Sequence, residues 1–145
     1  MGSDVTLREA FGNFHRESSR IVSDTKTSND SKIFFNSHDI AHVIFECDTS
    51  LRGEAIVKLW TIFGTTLGFA NHVKEYADAN AFELFGNYNL KHILTNVPKI
   101  IVVAPTVISR ARKMKKKWSW ESYDEYLDIP IHEIRKEFGI VPIDR

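Results

Sequence analysis

The sequence is poor in cysteine. Cys47 is the only one, so no disulfide can close within the chain and the fold must hold without covalent cross-links. The opening residues lack the basic, apolar and small-residue succession of a secretory leader, and with the lone thiol this points to a reducing, cytoplasmic setting. Neither sign of charge is in excess: 19 Lys and Arg stand against 19 Asp and Glu, whereas nucleic-acid binding generally leaves a basic surplus or stripe. Long apolar runs are missing too. Ile100 to Ile108 spans nine residues and contains Pro105, while a membrane-spanning helix needs about twenty. No Gly-rich phosphate loop, recognisable Ser or Cys nucleophile motif, internal repeat or low-complexity tract is present.

What is present is 43% hydrophobic residues with 12% aromatics over 145 positions, enough for one core and one domain covering residues 1–145. The expected fold is all-α, a single compact domain of about six to seven helices. Leu7, Ala10, Phe11 and Phe14 mark a first helix over Val5–Val22, capped by Asp4 or Thr6. The polar run Ser23–Lys32 reads as a flexible loop. Asn36 or Ser37 caps a short helix reaching Cys47, and Asp48–Ser50 forms the break before a longer helix from Leu51. On that helix Ala55, Ile56, Leu59, Trp60, Phe63 and Leu67 trace the buried face, with Gly64 and Gly68 one turn apart to admit a close neighbour. Asn71–Phe85 continues helical, Leu90–Val97 suits a short helix, Pro98 starts another and Pro105 kinks it on the way to Lys117. The β-branched run Ile100–Val103 also fits a strand, but an isolated strand would have no partner. Asp128, Pro130, Ile131, Ile134, Phe138 and Gly139 read as cap, first-turn proline, apolar face and stop of a final helix.

His38 and His42 are four residues apart, so on a helix they differ by roughly 40° and stack on one face within reach of one ion. Asp39 lies about 100° from His38 and about 60° from His42, so its carboxylate either joins the same site or orients a histidine from outside it. Glu54 follows after eleven intervening residues, and a helix-turn-helix hairpin folds it back over the histidines. Two imidazoles with one or two carboxylates suit a divalent cofactor, Zn²⁺, Fe²⁺ or Mn²⁺, and leave coordination positions open. Asp39 and Glu54 are then candidate proton carriers in catalysis. The spacing is equally that of an ordinary helix surface.

His38-Asp39-x-x-His42, eleven residues, then Glu54, with Asp48-Thr49-Ser50, Gly53-Glu54 and the segment from Ile129 to Ile140, resembles the coenzyme Q biosynthesis protein four family over roughly Phe35 to Pro142. The resemblance implies a helical protein of ubiquinone biosynthesis that holds zinc or a similar ion and an isoprenoid or quinone-like lipid. It further implies a peripheral place on the inner face of a membrane, association with other biosynthetic enzymes or a second copy of the chain, and oxidative replacement of a ring carboxyl group by hydroxyl. The metal motif carries over to His38, Asp39, His42 and Glu54. Two features depart from the family: Glu46 stands where glycine is usual, and 37 residues precede the motif where relatives usually carry more.

Arg110, Arg112, Lys113, Lys115, Lys116 and Lys117 lead into Trp118 and Trp120. Cations beside indoles make a candidate membrane contact, or else a solvated helix end that complements the macrodipole. Two functional alternatives remain: a non-catalytic lipid-binding or scaffold protein with a structural metal, and a His-Asp phosphohydrolase using His38 and Asp39 with His15 and Asp78 or Asp124, which the His42 and Glu54 spacing disfavours.

Overall fold

A computed structural model describes residues 4–18, 29–78 and 90–143. Six helices account for them: α1 Leu7–Ser18, α2 Asn29–Phe45, α3 Leu51–Gly64, α4 Gly68–Asp78, α5 Leu90–Arg112 and α6 Ile131–Phe138. A 3-10 turn covers Asp124–Tyr126, and among the described residues two isolated bridges replace any strand. The all-α expectation holds. Thr6 opens α1 through a reciprocal cap: its amide donates to Glu9 Oε2 at 3.0 Å, and its hydroxyl accepts from the Glu9 amide at 3.3 Å.

The core is built on aromatic rings. Phe45 of α2 stacks on Trp60 of α3 at 4.6 Å and 8°, and Trp118 meets Phe138 of α6 at 5.0 Å. Leu7, Ile40, Ile44, Val57, Val107 and Ile134 fill the space around them with no exposure. On α3 the buried line runs through Ile56, Val57, Trp60, Thr61 and Gly64. The chain beyond α5 is stitched onto the end of α3: the Trp118 amide donates to Gly64 O at 2.9 Å, and Trp118 O accepts from the Thr66 amide at 2.9 Å.

Several boundaries differ from expectation. α2 begins at Asn29, not Asn36, so polar Asn29–Lys32 extends the helix instead of closing a loop; residues 19–28, and with them the expected end of α1, lie outside the described residues. Gly68 is not on α3. Its φ of 71° belongs to the bend that starts α4, three residues before the expected Asn71, and residues 79–89 lie outside the described set. Gly64 does admit a neighbour, since a Cβ there would meet Met114 Sδ at 3.2 Å.

α5 runs as one helix through both Pro98 and Pro105. The two rings sit on its exposed side, so the Ile101 carbonyl that Pro105 leaves without a helical donor faces water, while Val103, Val107 and Ala111 anchor the opposite side. The helix also stops at Arg112, short of Lys117. Pro130 is the residue before α6, which starts one position later than expected, and Asp128 pairs instead with Arg8 at 2.7 Å. Gly139 ends α6 in the left-handed conformation at φ 70°, as its position predicts.

α2 ends in a Schellman turn. The Cys47 amide donates to His42 O at 2.9 Å and the Glu46 amide to Val43 O at 3.4 Å, with Glu46 at φ 55°. That left-handed position is one where glycine would carry no steric cost. Glu46 is held by Arg135 of α6, 3.0 Å away, which also donates to Ile44 O at 2.9 Å and Val43 O at 3.0 Å. One guanidinium thus closes the C-terminus of α2. Arg135→Ala is expected to cost about 2–3 kcal/mol of stability in urea titration, because two half-buried carbonyls lose charged donors. Arg135→Lys recovers little of it, since one ammonium lacks the planar fork.

Candidate metal centre

The Schellman turn also orients His42. Its Nδ1 lies 3.1 Å from Cys47 O, which only accepts, so Nδ1 carries the hydrogen and Nε2 presents its lone pair on the other side. Phe14 of α1 stacks on the ring at 5.0 Å and 23°, and the side chain is 1% exposed. His38, one turn earlier, packs edge-on against His42 with ring centres 4.7 Å apart. Both residues keep the face that the spacing assigned them.

Glu54 comes from α3. Ser50 caps that helix by accepting from the Gly53 amide at 3.1 Å, and Asp48 Oδ1 accepts from the Ser50 amide at 2.9 Å. Gly53 is sterically required: a Cβ would stand 2.1 Å from Asp48 O, a backbone atom unable to yield. The tight turn swings Glu54 back over α2, with Oε1 3.0 Å from His42 Nε2 and Oε2 3.5 Å from His38 Nε2. One ligand atom from each of His38, His42 and Glu54 can be chosen so that all lie within 4.8 Å of one another. Donors at the usual zinc bond lengths of about 2.0–2.1 Å stand roughly 3.3–3.5 Å apart around a tetrahedral ion, beside imidazole-to-carboxylate distances of 3.0 and 3.5 Å here.

The donor chemistry fits a cation. His42 Nε2 is buried and makes no hydrogen bond of acceptable geometry, although a carboxylate oxygen faces it at 3.0 Å. Two lone pairs so placed need a proton or a metal ion between them. In the metal-free protein a proton sits on neighbouring His38, whose Nε2 faces Glu54 Oε2 at 3.5 Å. Burial opposes its charge, but the adjacent carboxylates of Asp39 and Glu54 outweigh burial and raise its pKa to about 9. Burial would raise Glu54 as well, yet the two histidines hold its carboxyl far below the usual range.

Asp39 lies beside this group, not in it. Its Oδ1 is 3.9 Å from His38 Nδ1 and its Oδ2 is 3.2 Å from Nδ1 of His15 on α1. Its carboxylate neighbours His38 Nδ1 without a hydrogen bond and pairs with His15 instead. His15 belongs to the surroundings of the site, beside Asp39 as the His-Asp alternative groups them, and the packing of α1 on α2 brings it there. Cys47 lies outside the group of three, and burial and then nearby Asp48 push its thiol up to about 12.

The expected membrane-contact indoles are not on the surface. Trp118 is 0% and Trp120 2% exposed, drawn inward by Gly64 and Thr66, while Arg112, Lys113, Lys115, Lys116 and Lys117 stay exposed and Arg110 is half-buried. Lys116 pairs with Glu137, and Arg110 donates to the carbonyls of Val141 and Pro142.

The family model described as "Coenzyme Q (ubiquinone) biosynthesis protein Coq4" matches residues 8–144, nearly the whole sequence. The chain belongs to the Coq4 family. No curated protein sequence matches it. Membership places this Coq4-family chain among proteins of ubiquinone biosynthesis, and residues 8–144 take in every element that builds the site.

The titrations make a signed prediction. The unfolded reference for His38 is 6.5, below its folded value of about 9, so its pairing stabilises the metal-free protein fully below about pH 6.5 and is lost as pH rises through about 9. Glu54 is shifted the other way, so its contribution is present above about pH 4.5 and lost on acidification. The melting temperature without metal should therefore peak between about pH 5 and 7 and decline toward 9. Added Zn²⁺ competes with the His38 proton, so the rise in melting temperature it produces should grow with pH up to about 9. A metal effect that is flat over pH 6–9 would contradict this arrangement.

Proposed function

We propose that this chain binds one divalent ion, Zn²⁺ by preference over Fe²⁺ or Mn²⁺, through His38, His42 and Glu54. With it the chain binds an isoprenoid or quinone-type lipid during ubiquinone-type biosynthesis. The observation that carries the reading is the convergence of two imidazole Nε2 atoms on one carboxylate in a crevice where the side chains are 14%, 1% and 19% exposed. A divalent ion there supplies Lewis-acid polarisation of a carboxylate or oxygen on the substrate. The chain's own part is to hold the donors: Cys47 O fixes the His42 tautomer, and the turn at Gly53 aims Glu54. Asp39, reaching both His38 and exposed His15, provides a route for a proton between the site and water. Ring decarboxylation and hydroxylation with an external oxidant is the reaction we assign to it.

Elemental analysis of the purified chain, with mass spectrometry of its organic extract, tests this. About one equivalent of a divalent transition metal and a prenylated extract are expected, with metal lost in His42→Ala. Glu54→Gln should keep the fold and abolish turnover; were His42→Ala only to lower stability, as chelation does, and Glu54→Gln to leave turnover intact, the metal would be structural. A wild-type chain that takes up no Zn²⁺ overturns the proposal.

A separate observation favours a membrane surface as partner. On α5, Val97, Ile101 and Val102 are 40%, 65% and 79% exposed. They adjoin a groove of about 590 Å³ lined in part by Val102, Val103 and Ile143 with the cations Arg52, Lys99 and Arg110. Aliphatic side chains among cations suit an anionic bilayer, so this face replaces the buried indoles in our reading. Flotation with phosphatidylcholine–phosphatidylserine vesicles should show binding that weakens with salt and falls sharply in Val102→Asp. Absence of binding at low salt rejects it.

A further inference from the structure

The groove beside α5 is lined by charge of one sign. Arg52, Lys99 and Arg110 border it, and no carboxylate does. Arg110 is already engaged: it donates to the carbonyls of Val141 and Pro142 and so holds the closing segment where Ile143 forms one wall. Arg52 and Lys99 are not engaged. Among the described residues neither has a hydrogen bond or ion pair, although Arg52 is half-buried. A guanidinium half out of water and without a counter-charge is costly, so the place favours an anion.

Lys99, Val102, Val103 and Thr106 follow one another at three- and four-residue steps, so one face of α5 runs from a cation onto aliphatic carbon. Arg52 precedes Glu54 by two positions, roughly 200° round α3, which puts the groove across that helix from the histidines. A ligand held here is therefore separate from one presented to the metal centre. The planar fork of arginine takes two oxygens of a phosphate at once, and lysine adds a second point charge. We propose that the groove is a site for one anionic phospholipid. Its phosphate lies between Arg52 and Lys99, and an acyl chain follows Val102 and Val103 toward the exposed aliphatic face of α5. The proposal rests on the membrane reading above and turns a general attraction to charged bilayers into a one-to-one, headgroup-selective contact.

Dihexanoyl-phosphatidylglycerol, soluble as a monomer, is the probe, titrated calorimetrically into the full-length chain. Wild type should bind about one equivalent, with dihexanoyl-phosphatidylcholine and inorganic phosphate each at least about tenfold weaker, since one lacks net charge and the other lacks a chain. Arg52→Gln and Lys99→Gln should each weaken binding by about tenfold, the size of one charge-assisted hydrogen bond, and Arg52→Lys by less. Lys113→Gln removes an exposed cation that does not line the groove; it should weaken vesicle flotation while leaving the affinity for soluble lipid within about twofold. Melting temperature and Zn²⁺ uptake should match wild type in every variant. Vesicles that bind while the soluble lipid does not overturn the site and leave the membrane reading standing, as does a loss in Lys113→Gln equal to that in Arg52→Gln. Wild-type lipid affinity in both groove glutamine variants has the same meaning. A lower melting temperature alongside lost affinity in both marks structural cations and overturns the proposal, and phosphate bound as tightly as the lipid overturns it as a site for the free ion. Absence of binding to vesicles and soluble lipid alike removes both readings.

Discussion

The hydrogen bond from His42 Nδ1 to Cys47 O is the contact on which the rest of the site depends. It exists because α2 closes in a six-residue turn that places Cys47 back over the helix end, and that turn needs residue 46 in a left-handed conformation. Arg135, from the last helix, holds the carbonyls of Val43 and Ile44 and the Glu46 carboxylate together. The far end of the sequence thus supports the turn that orients His42. Neither segment is chemically active by itself, yet both must be in place before His42 turns its Nε2 lone pair to Glu54.

The part of this that a reader of the sequence could see was the part governed by helical spacing and by local chemistry. His38 and His42 share a face because they are four apart, and the break at Asp48–Ser50 followed by Gly53 announces a reversal that returns Glu54. Gly139 and Ile134 likewise behave as their positions dictate. What stayed hidden was set by partners distant in sequence. Trp118 and Trp120 follow a run of cations and look exposed, but their surroundings come from Gly64, Thr66, Tyr126 and Phe138, some of them more than fifty residues away. Pro98 looked like a helix start, because proline is expensive inside one; only the exposure of that side of α5 makes it tolerable. Only the His-Asp alternative groups His15 with Asp39, and it is the packing of α1 on α2 that sets the two together.

Electrostatically the site is a compromise between charge and burial. Its carboxylate is held ionised in a crevice only because imidazoles stand against it, and the imidazoles in turn have little other compensation on their inner nitrogens. Such an arrangement is poor at stabilising a fold for its own sake, since burying ions costs more than most pairs return. Its retention in a chain with an otherwise aromatic and aliphatic core argues for a purpose beyond packing. The neutral net charge of the sequence conceals this local organisation.

All three indoles lie in the interior: Trp60 and Trp118 have no exposure, and Trp120 has 2%. Trp120 is 6.0 Å from the ring of Phe34, which is itself 6.3 Å from the ring of His38. A single ring, Phe34, therefore spans the space between the buried indole and the histidine crevice, so the wall of that crevice is continuous with the aromatic core.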